Sequence, residues 1–132
     1  MNDRFRFRIW DKEYKNMFYP EDEYDYIEID ANGGLCGYGS NGTWAGGRNC
    51  TPMQCTGLKD KNGTLIYEGD IVKVLSKNKL GTVEWSEWSL QFSVDFPDTW
   101  DYFGLYDFDN EHNLEVIGNK YENPELMDAE LL

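Results

Sequence analysis

A single histidine, His112, and three cysteines, Cys36, Cys50 and Cys55, are all that this 132-residue chain offers of the usual metal-binding and nucleophilic side chains. No Cys-x-x-Cys pair occurs, and the histidine stands more than fifty positions from the nearest cysteine, so neither a zinc site nor a disulfide framework is expected. The cysteines read as reduced structural thiols, which fits a cytoplasmic chain. No apolar run reaches the roughly 18 residues that a membrane-spanning helix requires. The first nine residues alternate arginine and aromatics and lack the apolar stretch of an export signal. Three Asn-x-Thr triplets, beginning at Asn41, Asn49 and Asn62, are therefore read as turn chemistry rather than as glycosylation acceptors.

Bases are scarce too: 12 Lys plus Arg face 25 Asp plus Glu, a net charge of -13. Such a field repels phosphate, so direct binding to nucleic acid or to an anionic membrane is not expected. The imbalance is uneven. From Glu84 to Leu132 Lys120 alone opposes thirteen acids, while Leu58 to Val83 carries five lysines against three acids.

What the chain has in abundance is aromatic surface, with 16% Phe, Trp and Tyr. That excludes a disordered acidic tail, because large apolar groups can offset the ordering entropy. A chain of this length can bury about two thirds of its surface, enough for one compact unit with one or two small cores.

Period-two patterning dominates. Arg4-Phe5-Arg6-Phe7-Arg8-Ile9 places guanidinium groups on one face and apolar side chains on the other, which predicts a half-buried strand. A turn over Trp10 to Asn16 returns through Met17-Phe18-Tyr19 to close a hairpin, and Tyr24 to Asp30 predicts a further strand. The segment Asn32 to Asn49 holds seven of the thirteen glycines and has little helix potential. After Pro52 a second block begins. Met53 to Thr56, Thr64 to Tyr67, Ile71 to Leu75 and Leu80 to Trp85 predict strands, with Asn62-Gly63 at a turn tip. Trp88, Leu90, Phe92, Val94 and Phe96 alternate with polar residues and predict one more strand with these five on its core face. Leu114 to Ile117 predicts the last strand. One helix is predicted, with Asn123 as N-cap and Pro124 at its first position, running towards Leu131-Leu132. The fold class is all-β, a small barrel or sandwich of short strands.

Three ordered strings carry a family resemblance: Phe5 to Glu13; Gln54 to Gly63, followed by Ile66-Tyr67-Glu68-Gly69-Asp70-Ile71-Val72; and Val116-Ile117-Gly118-Asn119 with Tyr121 to Leu126. Together they resemble the YopX family of phage and prophage proteins. Cys55, where an aromatic or other apolar residue is expected, and the glycine-rich segment depart from the pattern. The resemblance implies a small β-rich fold with an SH3-like barrel in its second half, encoded on mobile elements of bacteria. It brings no catalytic residues and no cofactor. The expected organisation is residues 1–52 as hairpin and glycine-rich segment, then 53–132 as SH3-like barrel with a C-terminal helix.

Candidate chemistry is thin. Gly37-Tyr38-Gly39-Ser40-Asn41-Gly42 matches a phosphate-cradling glycine string but lacks the strand-to-helix context that gives it meaning. Asp107, Asp109 and Glu111 have the alternate spacing by which carboxylates converge on a hard cation, yet His112 and Gly118 occupy the positions where a calcium loop needs its glycine and its closing glutamate. Adding Asp95, Asp98 and Asp101 makes a divalent-metal enzyme conceivable, without a basic surface to attract a nucleic-acid substrate. Trp85, Trp88 and Trp100, with Tyr102, Phe103 and Tyr106, could build an aromatic peptide groove, centred on Trp100, Tyr102 and Tyr106 where the alternation breaks. The leading expectation is a non-enzymatic protein-binding or self-assembly module. In it, the basic block of Lys73, Lys77 and Lys79 meets the acidic C-terminal block of a neighbouring copy, or the chain meets a host or phage protein. The alternative is an acidic mimic of DNA that blocks a host DNA-binding protein.

Overall fold

The computed structural model describes residues 6–19, 26–29, 35–38, 44–45, 50–97, 102–105 and 113–128, with only the backbone given for 26–29, 35–38, 44–45 and 102–103. The chain is mainly β, built of antiparallel sheets of which one curls as a half-barrel. It divides into two units, Met1–Cys55 and Thr56–Leu132.

In the first unit β1 (Phe7–Asp11) and β2 (Asn16–Phe18) form the expected hairpin, with Ile9 opposite Phe18. The turn is capped by the Asp11 carboxylate, whose Oδ1 accepts the amides of Glu13 and Tyr14 at 2.9 and 3.2 Å. On its other side β1 pairs with the start of β6 (Cys50–Lys59), Ile9 opposite Pro52. Strands on both flanks make β1 central, and this corrects the half-buried reading. Arg8 is only 2% exposed, and Trp10 and Asp11 are buried with it. The Arg8 guanidinium lies over the Tyr19 ring, 5.9 Å from its centroid, with Nη1 donating to the Tyr19 hydroxyl at 3.5 Å. The glycine-rich region, read above as having little helix potential, contains two short strands. β3 (Tyr26–Ile29), β4 (Leu35–Tyr38) and β5 (Trp44–Ala45) form a separate three-stranded sheet.

The second unit holds β7 (Leu65–Tyr67) and a five-stranded sheet. The sheet is made of β8 (Asp70–Val74), β9 (Lys79–Ser86), β10 (Gln91–Asp95), β11 (Tyr102–Gly104) and β12 (Leu114–Asn119), in the order β11-β10-β9-β8-β12. Its core is Ile66, Val72, Val74, Val83, Val94, Phe96, Leu105 and Leu114. Gly81 sits where β9 meets the core so closely that a Cβ there would come within 2.5 Å of the Val94 Cγ1, which is why no side chain stands at that point.

Buried polar groups lock the turns of this unit. Asp60 Oδ1 accepts the amides of Asn62 and Thr64, both at 2.9 Å, and Oδ2 accepts the Val116 amide at 2.8 Å, tying the Asn-Gly turn to β12. Asp70 Oδ2 accepts the Tyr67 amide at 2.7 Å, and Asn119 Oδ1 accepts those of Tyr121 and Glu122. Each acceptor satisfies donors that burial would otherwise leave at a cost of about 1–3 kcal/mol.

The C-terminal helix is a single 3₁₀ turn, Pro124–Met127. Pro124 opens it as expected, but Asn123 makes no side-chain cap bond. Its Oδ1 turns back to accept the Asn119 amide at 3.2 Å, in space left by the missing side chain of Gly118.

Candidate functional site

The β9–β10 hairpin exposes what the sequence places in a core. β9 and β10 pair with Phe92 opposite Trp85 and Val94 opposite Val83, so Val83, Trp85, Phe92 and Val94 share one face. Burial fades along it. Val83 and Val94 are fully buried, Phe92 is half-buried, Trp85 is 44% exposed, Leu90 74% and Trp88 89%. The strand starts at Gln91, not at Trp88. Ser86 ends the preceding strand, its hydroxyl accepting from the Ser89 amide at 3.2 Å and from the Ser89 hydroxyl at 2.9 Å, so Glu87 to Leu90 form the turn. Trp85 and Phe92 meet edge to face at 5.1 Å between centroids and stiffen the base of the hairpin.

Leu90 takes φ 55°, the left-handed region that glycine and asparagine occupy cheaply and a branched apolar residue does not. A side chain both strained and exposed contributes little to folding. The signal available in the sequence was Ser86-Glu87-Trp88-Ser89, a turn composition that the longer alternation overrode.

The other expected sites fall differently. Trp100, Tyr106, Asp107, Asp109 and Glu111 lie outside the described residues, as does His112; Tyr102 begins β11 opposite Asp95, and its side chain lies outside the description. Phe103 follows in β11 opposite Val94 with its side chain likewise outside the description, so Trp85 and Trp88 are the members of the expected aromatic groove whose side chains are described. Gly37 of the glycine string sits inside β4, paired with β3 and β5, and Gly39 to Gly42 lie outside the described residues. Among the described residues no three His, Cys, Asp or Glu converge as metal ligands. Cys55 is buried and Cys50 half-buried against Ile9 and Phe18, both as free thiols. No helix among the described residues is long and apolar enough to cross a membrane.

Charge on this sheet is partly paired. Lys120 Nζ contacts Glu84 Oε1 at 3.0 Å, and Lys61 Nζ contacts Glu115 Oε2 at 3.0 Å. Burial works against the Lys120 ammonium, but its hydrogen bond and charge interaction with Glu84, with smaller help from Tyr121 and Glu68, raise its pKa above the ordinary value. The hydrogen bond and charge of Lys61 hold the Glu115 carboxyl below its ordinary range.

The sequence profile of the YopX protein family matches residues 6–128. Two solved structures are similar along nearly their whole length. The crystal structure of the protein yopX from Bacillus subtilis is 27% identical, the match covering 97% of this chain and 100% of that one, with a TM-score of 0.64. That of the protein EF1440 from Enterococcus faecalis is 27% identical over 93% of this chain and 97% of that one, with a TM-score of 0.61. No curated protein matches. None of these names carries a ligand, a partner or a reaction.

Proposed function

We propose, for a chain that belongs to the YopX family, a non-enzymatic role as a protein-binding or self-assembly module that engages its partner through the β9–β10 hairpin. The observation that supports it is the pairing of exposure with strain at one place. Trp88 and Leu90 stand 89% and 74% exposed, and Leu90 does so at a positive φ. Neither side chain stabilises the folded unit in return, and residues held in sparsely populated backbone regions cluster where a protein binds. Tryptophan is also the side chain most enriched among dominant contacts of protein interfaces. The DNA-mimic reading gains no such support. Two of the carboxylates it would need, on Glu84 and Glu115, are engaged by lysines of the same chain, Lys120 and Lys61.

Stability and binding should then move in opposite directions. Leu90→Asn relieves the backbone and is expected to raise unfolding free energy by about 0.5–1 kcal/mol, while Trp88→Ser leaves it unchanged. Immobilised wild type and Trp88→Ser/Leu90→Asn chain are exposed to the same lysate of the source organism, alongside sedimentation of each. The wild type is expected to retain proteins, or to self-associate, where the variant does neither. Identical behaviour of the two sinks the reading.

A further inference from the structure

We propose that Asn62 is a latent modification site, an Asn-Gly pair that loses its side-chain ammonia when the turn bearing it opens, and whose conversion then unties that turn from β12. The chemistry needs only water besides the chain itself. The backbone nitrogen of Gly63 attacks the Asn62 Cγ, so that an N–Cγ bond forms and the Cγ–Nδ2 bond breaks. The proton of the Gly63 amide ends on the departing nitrogen, which leaves as ammonia. Water then opens the resulting imide ring at one of its carbonyls, giving aspartate or its β-linked isomer. Glycine hinders this attack least, because no side chain stands beside its nitrogen. Gly63 also takes φ 79°, a backbone conformation that glycine adopts cheaply, so the turn itself calls for the reactive pair. Nothing lies within 4 Å of where a Gly63 Cβ would stand, and both residues are exposed to water.

The fold restrains the reaction by engaging both partners to it. Every amide from Asp60 to Thr64 donates a hydrogen bond. Those of Asp60, Lys61 and Gly63 reach the carbonyls of Thr64, Leu114 and Asp60 at 2.9, 3.0 and 3.0 Å, and those of Asn62 and Thr64 reach Asp60 Oδ1, both at 2.9 Å. Attack requires the Gly63 nitrogen to leave the Asp60 carbonyl and face Cγ. The Asn62 carboxamide is held as well, by donating to the Glu115 carboxylate on β12, which Lys61 Nζ also contacts at 3.0 Å. The turn must therefore open before it reacts, and the rate follows the fraction that is open. The same contacts make the product disruptive. Conversion replaces a donor to Glu115 by a carboxylate facing it, beside the Asp60 carboxylate whose Oδ2 accepts the Val116 amide at 2.8 Å. The β-linked isomer in addition lengthens the backbone at this point, so the spacing at which Asp60 Oδ1 meets two amides is lost.

Peptide mapping by mass spectrometry, on the full chain incubated at neutral pH with and without denaturing urea, reads conversion at residue 62 directly. In the folded chain it is expected to be at least about tenfold slower than in urea. Two variants should speed it without urea. Asp60→Asn weakens the turn and is expected to raise the rate about fivefold; Glu115→Ala frees the carboxamide, leaves the Asp60 bonds in place and is expected to raise it about twofold. Equal rates with and without urea, or a folded rate that neither variant changes, overturn the restraint. The consequence is read on Asn62→Asp. At neutral pH this variant is expected to unfold at a lower urea concentration than wild type, and the gap to narrow below about pH 4, where a protonated carboxyl donates as the carboxamide did. A urea midpoint equal to that of wild type at neutral pH overturns the coupling to β12.

Discussion

Asp60 shows how a single residue can be legible in sequence and still do more than its motif says. Asp60-Lys61-Asn62-Gly63 announces a turn, and the structure confirms that the Asp60 carboxylate accepts from within it. The bond from the Val116 amide, fifty-six positions on, has no local signal because it depends on how β12 returns past the turn. Arg8 is the converse. Its alternation with aromatics reads as a wet face, and only the presence of strands on both sides of β1, with Tyr19 to receive the guanidinium, makes burial tolerable. Since Asp60 satisfies three amides with two oxygens, replacement should be costly in a graded way. Asp60→Ala is expected to lower unfolding free energy by about 3 kcal/mol, and Asp60→Asn, which keeps one acceptor and turns a donor on another amide, by about 1–2 kcal/mol. Urea unfolding at constant m-value measures both, and equal costs for the two would refute the three-amide arrangement.

At the scale of elements, strands were legible where a short apolar, β-branched run met turn signals, as in β8 and β12. The β9–β10 hairpin was misjudged because a period-two alternation runs on through its turn; periodicity reports which side chains would share a face, not where the packed core ends. The short C-terminal helix forms where its signals place it, as a single 3₁₀ turn. Asn123 and Pro124 form a sound start signal, but the Asn123 carboxamide is taken by the Asn119 amide against Gly118, and the element stops after one 3₁₀ turn. This makes Gly118 and Asn123 a coupled pair. A Cβ at Gly118 would lie 2.5 Å from Asn123 Oδ1 and 2.9 Å from its Cγ. Gly118→Ala should therefore cost about 1–2 kcal/mol by displacing that side chain, and Asn123→Ala about 1 kcal/mol through its lost acceptor. The double variant should cost less than the sum, because the clash disappears with the carboxamide. Strict additivity in a thermal or urea double-mutant cycle would show that the two do not touch.

For the molecule as a whole, the sequence made the division of charge visible but not its pairing, since partners are chosen by strand order. Edge strand β12 carries Glu115 near its start and is followed at once by Lys120, five positions on, so that Lys61 and Glu84 meet them at opposite ends of the sheet. The two pairs fail at opposite extremes of pH. Glu115 has its pKa lowered from 4.5 by Lys61, so its contribution is complete above the unfolded value and is lost as pH falls through the lowered folded one. Lys120 has its pKa raised from 10.5, because Glu84 outweighs the opposing effect of burial. Its contribution is complete below 10.5 and is lost as pH rises through the raised value. Both side chains are open to solvent, so the effects are small, less than about 1 kcal/mol for the Lys120 pair. Measured as differences from wild type, Glu115→Gln should flatten the decline in stability below pH 4.5 and leave the alkaline side untouched. Lys120→Met should do the reverse above pH 10.5. Curves for the two variants that run parallel to wild type at both extremes would mean that neither pair persists in solution, and that the edge strand is held without them, by its backbone ladder to β8, the Asp60 carboxylate and the burial of Leu114.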